Sequence, residues 1–87
     1  MKVEMFTKTT CPYCTKAKNL LNMKGVKNII EYNIETDPSK RRDFLQRTQG
    51  AKTVPQIFIN DVLVGGFDNL SALDAAGELD KMLVDKK

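Results

Sequence analysis

The sequence predicts an α/β fold: a small four-stranded mixed sheet flanked by helices, with elements in the order βαβαββα. Two observations indicate this fold. A strand-like run, a helical run and a second strand-like run follow one another, and such a crossover implies a parallel pair of strands. Two short apolar runs joined by Asn60-Asp61 indicate an antiparallel hairpin. A chain of 87 residues can enclose one modest core, so a single domain over 1–87 is expected.

The first half of the chain predicts a strand, a helix and a strand. Residues 2–7 alternate apolar and polar side chains, which is typical of a short strand. Apolar residues recur near helical spacing over 15–24, and Gly25 supplies a stop after them. Pro12 is tolerated in the first turn of a helix, so the preceding cysteine is expected at the helix N-terminus. Residues 29–34 are rich in strand formers and predict the second strand.

A second helix is expected after this strand. Residues 36–38, Thr-Asp-Pro, are a helix-start signal, because Asp caps the free N–H groups and Pro fits the first turn. Phe44 and Leu45 are expected on its buried side, and Gly50 ends it.

The last part of the chain predicts a hairpin and a final helix. The hairpin strands are the apolar runs 56–60 and 62–64. Residues 68–71 are expected to cap a final helical region, which Gly77 interrupts or kinks. This order of elements is that of a thioredoxin-like fold.

Composition and charge pattern argue against nucleic-acid binding, membrane association and secretion. Net charge is +3, but basic and acidic residues are interleaved along the chain. The densest basic cluster, Lys40-Arg41-Arg42, is expected to be a solvated helix face, so nucleic acid is not an expected partner. No apolar stretch is long enough to span a bilayer, so no membrane association is expected. Glu4 stands where a secretory signal needs an apolar run, which favours a cytoplasmic protein.

The two cysteines, Cys11 and Cys14, are the residues most suited to chemistry. They close too small a loop to serve as a structural staple, which leaves redox chemistry, metal binding or two unrelated thiols. A structural zinc site usually takes four Cys or His ligands, and this chain has two Cys and no His, so no metal site is expected. Pro12, between the cysteines and after a strand, favours redox chemistry.

The two thiols are expected to differ in reactivity. Cys11 would lie where free helix N–H groups and the positive end of the helix dipole favour a thiolate, and Lys8 adds a nearby positive charge. Cys14, inside the first turn, should be more buried. One thiol would then attack the substrate, and the other would resolve the mixed disulfide.

Two other segments each allow two interpretations. Thr53-Val54-Pro55 is either a simple strand entry or a cis Val54–Pro55 bond that exposes the Val54 backbone to an extended peptide. Gly65-Gly66 and the residues after it either turn the chain into a helix capped by Asp68 or Asn69, or let a ligand approach the backbone. In the second case Asp68 and helix N–H groups would bind a charged amino-acid head.

Taken together, three motifs resemble the dithiol glutaredoxins in order and separation over nearly the whole chain. They are Thr7-Lys8-x-x-Cys11-Pro12-Tyr13-Cys14, Thr53-Val54-Pro55-Gln56-Ile57-Phe58-Ile59 and Gly65-Gly66-x-Asp68. The resemblance implies a glutathione-dependent oxidoreductase that reduces protein disulfides and glutathione mixed disulfides. It also implies glutathione as co-substrate with no tightly bound cofactor, disulfide-containing or glutathionylated proteins as partners, and a monomer.

The resemblance also implies residue roles by position. Cys11 would be the nucleophile and Cys14 the resolving thiol. The glutathione site would be formed by Lys8, Tyr13, Arg42, Thr53, Val54, Pro55, Gly66, Phe67 and Asp68. Two positions depart from the family pattern. Phe67 stands where many members carry Cys or Ser, which makes the groove more apolar, and Asn69 stands where an acid is frequent.

The cysteine pair is also compatible with two other functions. One is a redoxin served by thioredoxin reductase, which the charges of Lys8, Arg42 and Asp68 disfavour because they suit a charged tripeptide. The other is a non-enzymatic carrier of copper(I) or of an iron–sulfur cluster bridged between two subunits, since soft thiolates bind both. Pro12 and Cys14 argue against cluster bridging.

Overall fold

A computed structural model of the protein describes residues 2–83. Residue 1 and residues 84–87 of the predicted domain lie outside this range. The elements are β1 (Val3–Thr7), α1 (Pro12–Met23), β2 (Ile30–Asn33), α2 (Pro38–Thr48), β3 (Gln56–Ile59), β4 (Val62–Gly65), α3 (Phe67–Ala75) and α4 (Glu78–Met82). Within the described residues, no helix has the length and apolar character needed to cross a membrane.

The sheet is mixed and four-stranded, which confirms the predicted fold class. Its strand order is β2-β1-β3-β4. β1 pairs in parallel with β2 and antiparallel with β3, and β3 pairs antiparallel with β4. The hairpin turns at Asn60 and Asp61, whose φ values of 51° and 68° match the turn that best joins twisted strands. The two interior strands, β1 and β3, are buried along their whole length.

The helix starts follow local signals, with one correction. Cys11 is the N-cap of α1, and Pro12 is its first residue. Asp37 caps α2 by accepting hydrogen bonds from the Ser39 and Lys40 amides. The expected cap of the final helix by Asp68 or Asn69 is wrong, because the helix begins earlier, at Phe67, with Gly66 as its N-cap. An N-cap side chain can reach only the amides that follow it, and here glycine holds that position.

Two further expectations concern the division of the final helix at Gly77 and the burial of Leu45 on α2. Gly77, with a φ of +76°, divides the final helical region into α3 and α4, as the sequence indicated. Leu45 is 43% exposed, so its expected burial beside Phe44 is wrong. Successive residues of a helix point about 100° apart, and α2 turns only the Phe44 face to the sheet.

The core has one cluster on each face of the sheet, because alternate residues of a strand point to opposite faces. On the face covered by α1, α3 and α4, strand residues such as Val3 and Met5 pack against Leu21, Leu70 and Leu79. On the face covered by α2, the buried residues are mainly aromatic: Phe6, Ile34, Phe44 and Phe58.

A buried ion pair attaches α2 to the sheet. The Glu4 side chain, in the middle of β1, is 3% exposed and accepts hydrogen bonds from both terminal nitrogens of Arg47 at 2.9 Å. The Tyr32 hydroxyl donates to the same carboxylate at 2.7 Å. The Arg47 guanidinium lies 4.1 Å from the centre of the Phe58 ring, a favourable cation–π position. The Arg47 hydrogen bonds, opposed by burial, lower the pKa of Glu4 to about 2.

This ion pair makes stability depend on pH. Folding lowers the pKa of Glu4 from 4.5 to about 2. The ionised Glu4 therefore adds its full contribution to the free energy of unfolding above pH 4.5, and this contribution is lost as the pH falls towards 2. We expect Glu4→Gln to cost about 3 kcal/mol of unfolding free energy at neutral pH, because it removes the bidentate partner of Arg47 and leaves only the exposed Asp61 carboxylate, 3.7 Å away, as a counter-charge. Urea unfolding should show this difference shrinking as the pH is lowered towards the folded pKa.

The matched control is Glu31→Gln. Glu31 forms an exposed pair with Lys18 at 3.3 Å, and such pairs contribute less than about 1 kcal/mol. An equal loss for Glu4→Gln at neutral and acidic pH would contradict the assignment of the acid dependence to Glu4.

Candidate active site

The cysteine pair lies at the junction of β1 and α1. Cys11 and Cys14 form a disulfide with their Cα atoms 5.2 Å apart. Cys14 is only 4% exposed and packs within the core, whereas Cys11 is half-buried and open to a reactant. The two sulfurs therefore differ in access in the direction that the sequence indicated.

The helix start supplies polar groups to the outer sulfur. The Cys14 amide donates a hydrogen bond to Cys11 Sγ at 3.2 Å, and the Thr15 amide donates to the Cys11 carbonyl at 3.2 Å. Within the described helix α1, the first turn carries no acidic side chain that would repel a negative charge. An amide donor and a helix N-terminus both favour a thiolate at Cys11 once the disulfide is reduced.

Hydrogen bonds fix the loop that leads into Cys11. The Thr9 amide donates to Glu35 Oε1 at 2.8 Å, and Asn33 Nδ2 donates to Thr9 Oγ1 at 3.3 Å. The side-chain oxygen of Asn33, Oδ1, also accepts hydrogen bonds from the Glu35 and Thr36 amides. Sequence reasoning missed this support. The available signal was an Asn at the end of a strand, a residue that commonly binds the backbone of a following turn.

A cavity of about 460 Å³ brings most of the predicted glutathione residues together. Seven of them line it: Tyr13, Thr53, Val54, Pro55, Gly66, Phe67 and Asp68. Three lining residues were not among the named glutathione residues: Gln56, and Gly65 and Asn69 of the segment that the sequence left open to a ligand. The cavity thus joins the start of α1, the segment before β3 and the turn between β4 and α3.

Backbone groups at this cavity are available to a ligand. The Val54–Pro55 bond is cis, the alternative that the sequence left open. Across residues 2–83, no hydrogen bond engages the Val54 N–H or carbonyl. No described side chain caps α3, so its first-turn N–H groups are free, with Asp68 in that turn. A Cβ on Gly66 would lie 3.4 Å from the Pro55 carbonyl oxygen, so these two segments pack closely.

A second cavity, of about 480 Å³, is lined by both cysteines. Its lining includes Lys8, Cys11, Cys14 and Lys18. The structure therefore brings Lys8 to the dithiol. Arg42 is exposed on α2 and is absent from the lining of both described cavities.

The dithiol at a helix N-terminus, on a thioredoxin-like fold and beside a peptide-sized cavity, defines a thiol–disulfide oxidoreductase site. A family model described as Glutaredoxin matches residues 3–64. Glutaredoxin 3 of Escherichia coli K12 is 51% identical over 81 residues, which are 93% of this chain and 95% of that protein.

Solved structures agree with the sequence comparison. The dithiolic glutaredoxin 2-C-Grx1 of Trypanosoma brucei brucei has a TM-score of 0.81 at 37% identity, over 95% of this chain and 87% of that chain. The buckwheat glutaredoxin–glutathione complex has a TM-score of 0.81 at 28% identity, over 93% and 74%.

The chain belongs to the glutaredoxin family. This confirms the predicted family and the thioredoxin-like fold. The chain is therefore a glutathione-dependent thiol–disulfide oxidoreductase that acts through its Cys11–Cys14 pair.

The turn between β4 and α3 depends on a glycine. Gly65 has a φ of +109°, which favours glycine, and the Asn69 side chain occupies the place that a Cβ at residue 65 would take. Gly65→Ala should cost about 1–3 kcal/mol of unfolding free energy, with the backbone and the contact both contributing. Urea unfolding measures this cost.

Two variants separate the contributions to this cost. Gly50→Ala introduces a Cβ at a φ of +90° with nothing within 4 Å, so it reports backbone strain alone. In the Asn69→Ala background, Gly65→Ala should cost less unfolding free energy than it does in the unaltered chain, because the Asn69 side chain no longer meets the new Cβ. An equal cost in both backgrounds would mean that the Asn69 contact is unimportant.

Proposed function

We propose that Cys11 is the nucleophile and Cys14 the resolving thiol in the reduction of protein disulfides and glutathione mixed disulfides. The observation that carries this assignment is the asymmetry of the pair. Cys11 is reachable and receives an amide hydrogen bond at its sulfur, while Cys14 is 4% exposed. A disulfide exchanger requires one accessible thiolate and one thiol that reaches only the first sulfur.

The proposed reaction moves two electrons to the substrate disulfide. The Cys11 thiolate attacks the glutathione sulfur of a mixed disulfide, the Cys11–glutathione bond forms, and the substrate leaves as a thiolate that takes a proton from water. A second glutathione thiolate then attacks the bound glutathione sulfur and releases oxidised glutathione. For a protein disulfide, Cys11 attacks a protein sulfur, and Cys14 then attacks Cys11 to close the disulfide present in this structure.

Single-cysteine variants separate these roles. In an assay with NADPH, glutathione and glutathione reductase, Cys11→Ser should abolish turnover of a small mixed disulfide, because serine supplies no thiolate. Cys14→Ser should retain this turnover and lose reduction of protein disulfides. Turnover by Cys11→Ser would refute the assignment, and turnover only with thioredoxin reductase would refute the proposed use of glutathione.

We propose that the 460 Å³ cavity holds the glutathione. The free Val54 peptide groups would pair with the cysteinyl backbone, as in strand addition. Asp68 would bind the γ-glutamyl ammonium, and the free N–H groups of α3 its carboxylate. Lys8 and Arg42 would meet the glycine carboxylate, and Tyr13, Thr53, Pro55, Gly66 and Phe67 would complete the walls. The buckwheat relative, solved as a glutathione complex, supports this proposal.

Arg42 offers a sharp test, because Arg41 is an exposed arginine next to it on the same helix. Arg42→Ala should raise the KM for glutathione about two- to fivefold, the range expected for one exposed charge contact. Arg41→Ala, the matched control, should leave the KM unchanged. Equal effects of the two variants would remove Arg42 from the proposed site and leave a general electrostatic attraction.

We further propose a monomer that acts in the cytoplasm, with glutathione as a co-substrate and no tightly bound cofactor. The support is chemical, since a reducing glutathione pool keeps such a dithiol reduced. Disulfide-containing and glutathionylated proteins are its proposed partners.

A further inference from the structure

Two aromatic side chains line the 460 Å³ cavity, those of Tyr13 and Phe67. Tyr13 follows the nucleophile by two positions and is 54% exposed, and Phe67 begins α3 on the opposite wall. Their ring centres are 6.1 Å apart, with the planes tilted by 38°. Aromatic pairs attract at centre distances of about 4.5–7 Å, so this pair lies at the open end of the range. Because Tyr13 is exposed and Phe67 is only half-buried, each residue keeps surface that a third side chain can cover.

The two rings are held differently. Phe67 is half-buried and packs against the core cluster that also contacts Cys11 and Val54, so its position is fixed by the fold. Tyr13 projects from the first turn of α1, and the Lys16 ammonium lies 4.8 Å from its ring centre. The Phe67 ring is anchored by the core, and the Tyr13 ring is exposed beside it with Lys16 as its cationic neighbour. The reactive sulfur and the unpaired Val54 peptide lie at the same end of the sheet.

We propose that Tyr13 and Phe67 form an aromatic clamp that selects protein substrates. The clamp binds a large apolar side chain adjacent to the substrate cysteine that Cys11 attacks. This inference rests on the proposed function, because it places the substrate segment along the free Val54 peptide groups. A bound strand pairs its backbone there, and its side chains need pockets on either side. The enzyme then favours disulfides flanked by aromatic or aliphatic residues over those flanked by small polar ones.

The clamp acts in the protein-disulfide branch of the reaction. There the attacked sulfur belongs to the polypeptide, so the polypeptide occupies the cavity until Cys14 releases it. Glutathione carries no large apolar side chain and gains little from the two rings. The two rings therefore discriminate between protein substrates by the side chains next to the attacked cysteine.

The test uses short cysteine peptides joined by a disulfide to thionitrobenzoate, with either Phe or Ser beside the cysteine. The Cys11 thiolate attacks the peptide sulfur, the peptide–Cys11 disulfide forms, and thionitrobenzoate leaves as a coloured thiolate because it is the better leaving group. Cys14 then attacks Cys11 and frees the peptide thiol. Rates with the reduced chain are divided by rates with dithiothreitol to remove intrinsic peptide reactivity.

We expect the normalised rate for the Phe peptide to exceed that for the Ser peptide roughly tenfold. Tyr13→Ser and Phe67→Ser should each reduce this ratio to near unity. Met23→Ser, which removes a side chain 83% exposed on the same helix, should leave the ratio unchanged. Tyr13 is largely exposed, so its variant tests the clamp even where Phe67→Ser perturbs folding.

A ratio near unity in the unaltered chain, or an unchanged ratio in either aromatic variant, would overturn the clamp. The assay contains no glutathione, so these results are independent of glutathione turnover. Release of thionitrobenzoate by Cys11→Ser would instead overturn the proposed function.

Discussion

The antiparallel pairing of β1 with β3 decides where the active site forms. Phe6 stands opposite Gln56, so the strand that leads to Cys11 ends beside the point where the chain enters β3 from Val54. Both strands are buried, and a shift of one residue would exchange the side chains of the two faces. The dithiol and the Val54 segment therefore lie at one end of the sheet because the core fixes the register of two distant segments.

The same strand joins the two layers of helices. Its Val3 and Met5 side chains face α1, α3 and α4, while Glu4 and Phe6 face α2. The Glu4 carboxylate, bound by Arg47, is a polar attachment of α2 within a mainly aromatic layer. Because Arg42 lies earlier on that helix, the ion pair also determines how the helix presents its exposed basic residues. One buried carboxylate therefore fixes the position of α2 on the sheet.

The turn between β4 and α3 combines both departures from the family pattern. The Asn69 side chain packs over Gly65 and also lines the cavity. Phe67 adds an apolar ring to the cavity lining and lies within contact distance of Tyr13. Asp68 is left as the acidic group on this wall of the cavity. The wall therefore offers one charge and one ring, a composition suited to a polypeptide as well as to glutathione.

The sequence by itself determined the strands and helices, the start of α1 at Pro12, the cap of α2 by Asp37, and the family, because these depend on residues close together in the chain. It also named seven residues that the structure gathers around one cavity. Only the tertiary structure decided the central position of β1, the exposure of Leu45 and the start of α3 at Phe67. It alone placed Glu4 against Arg47 and Asn69 over the β4–α3 turn. These features depend on strand register and side-chain contacts between elements, and spacing along a single chain does not encode either one.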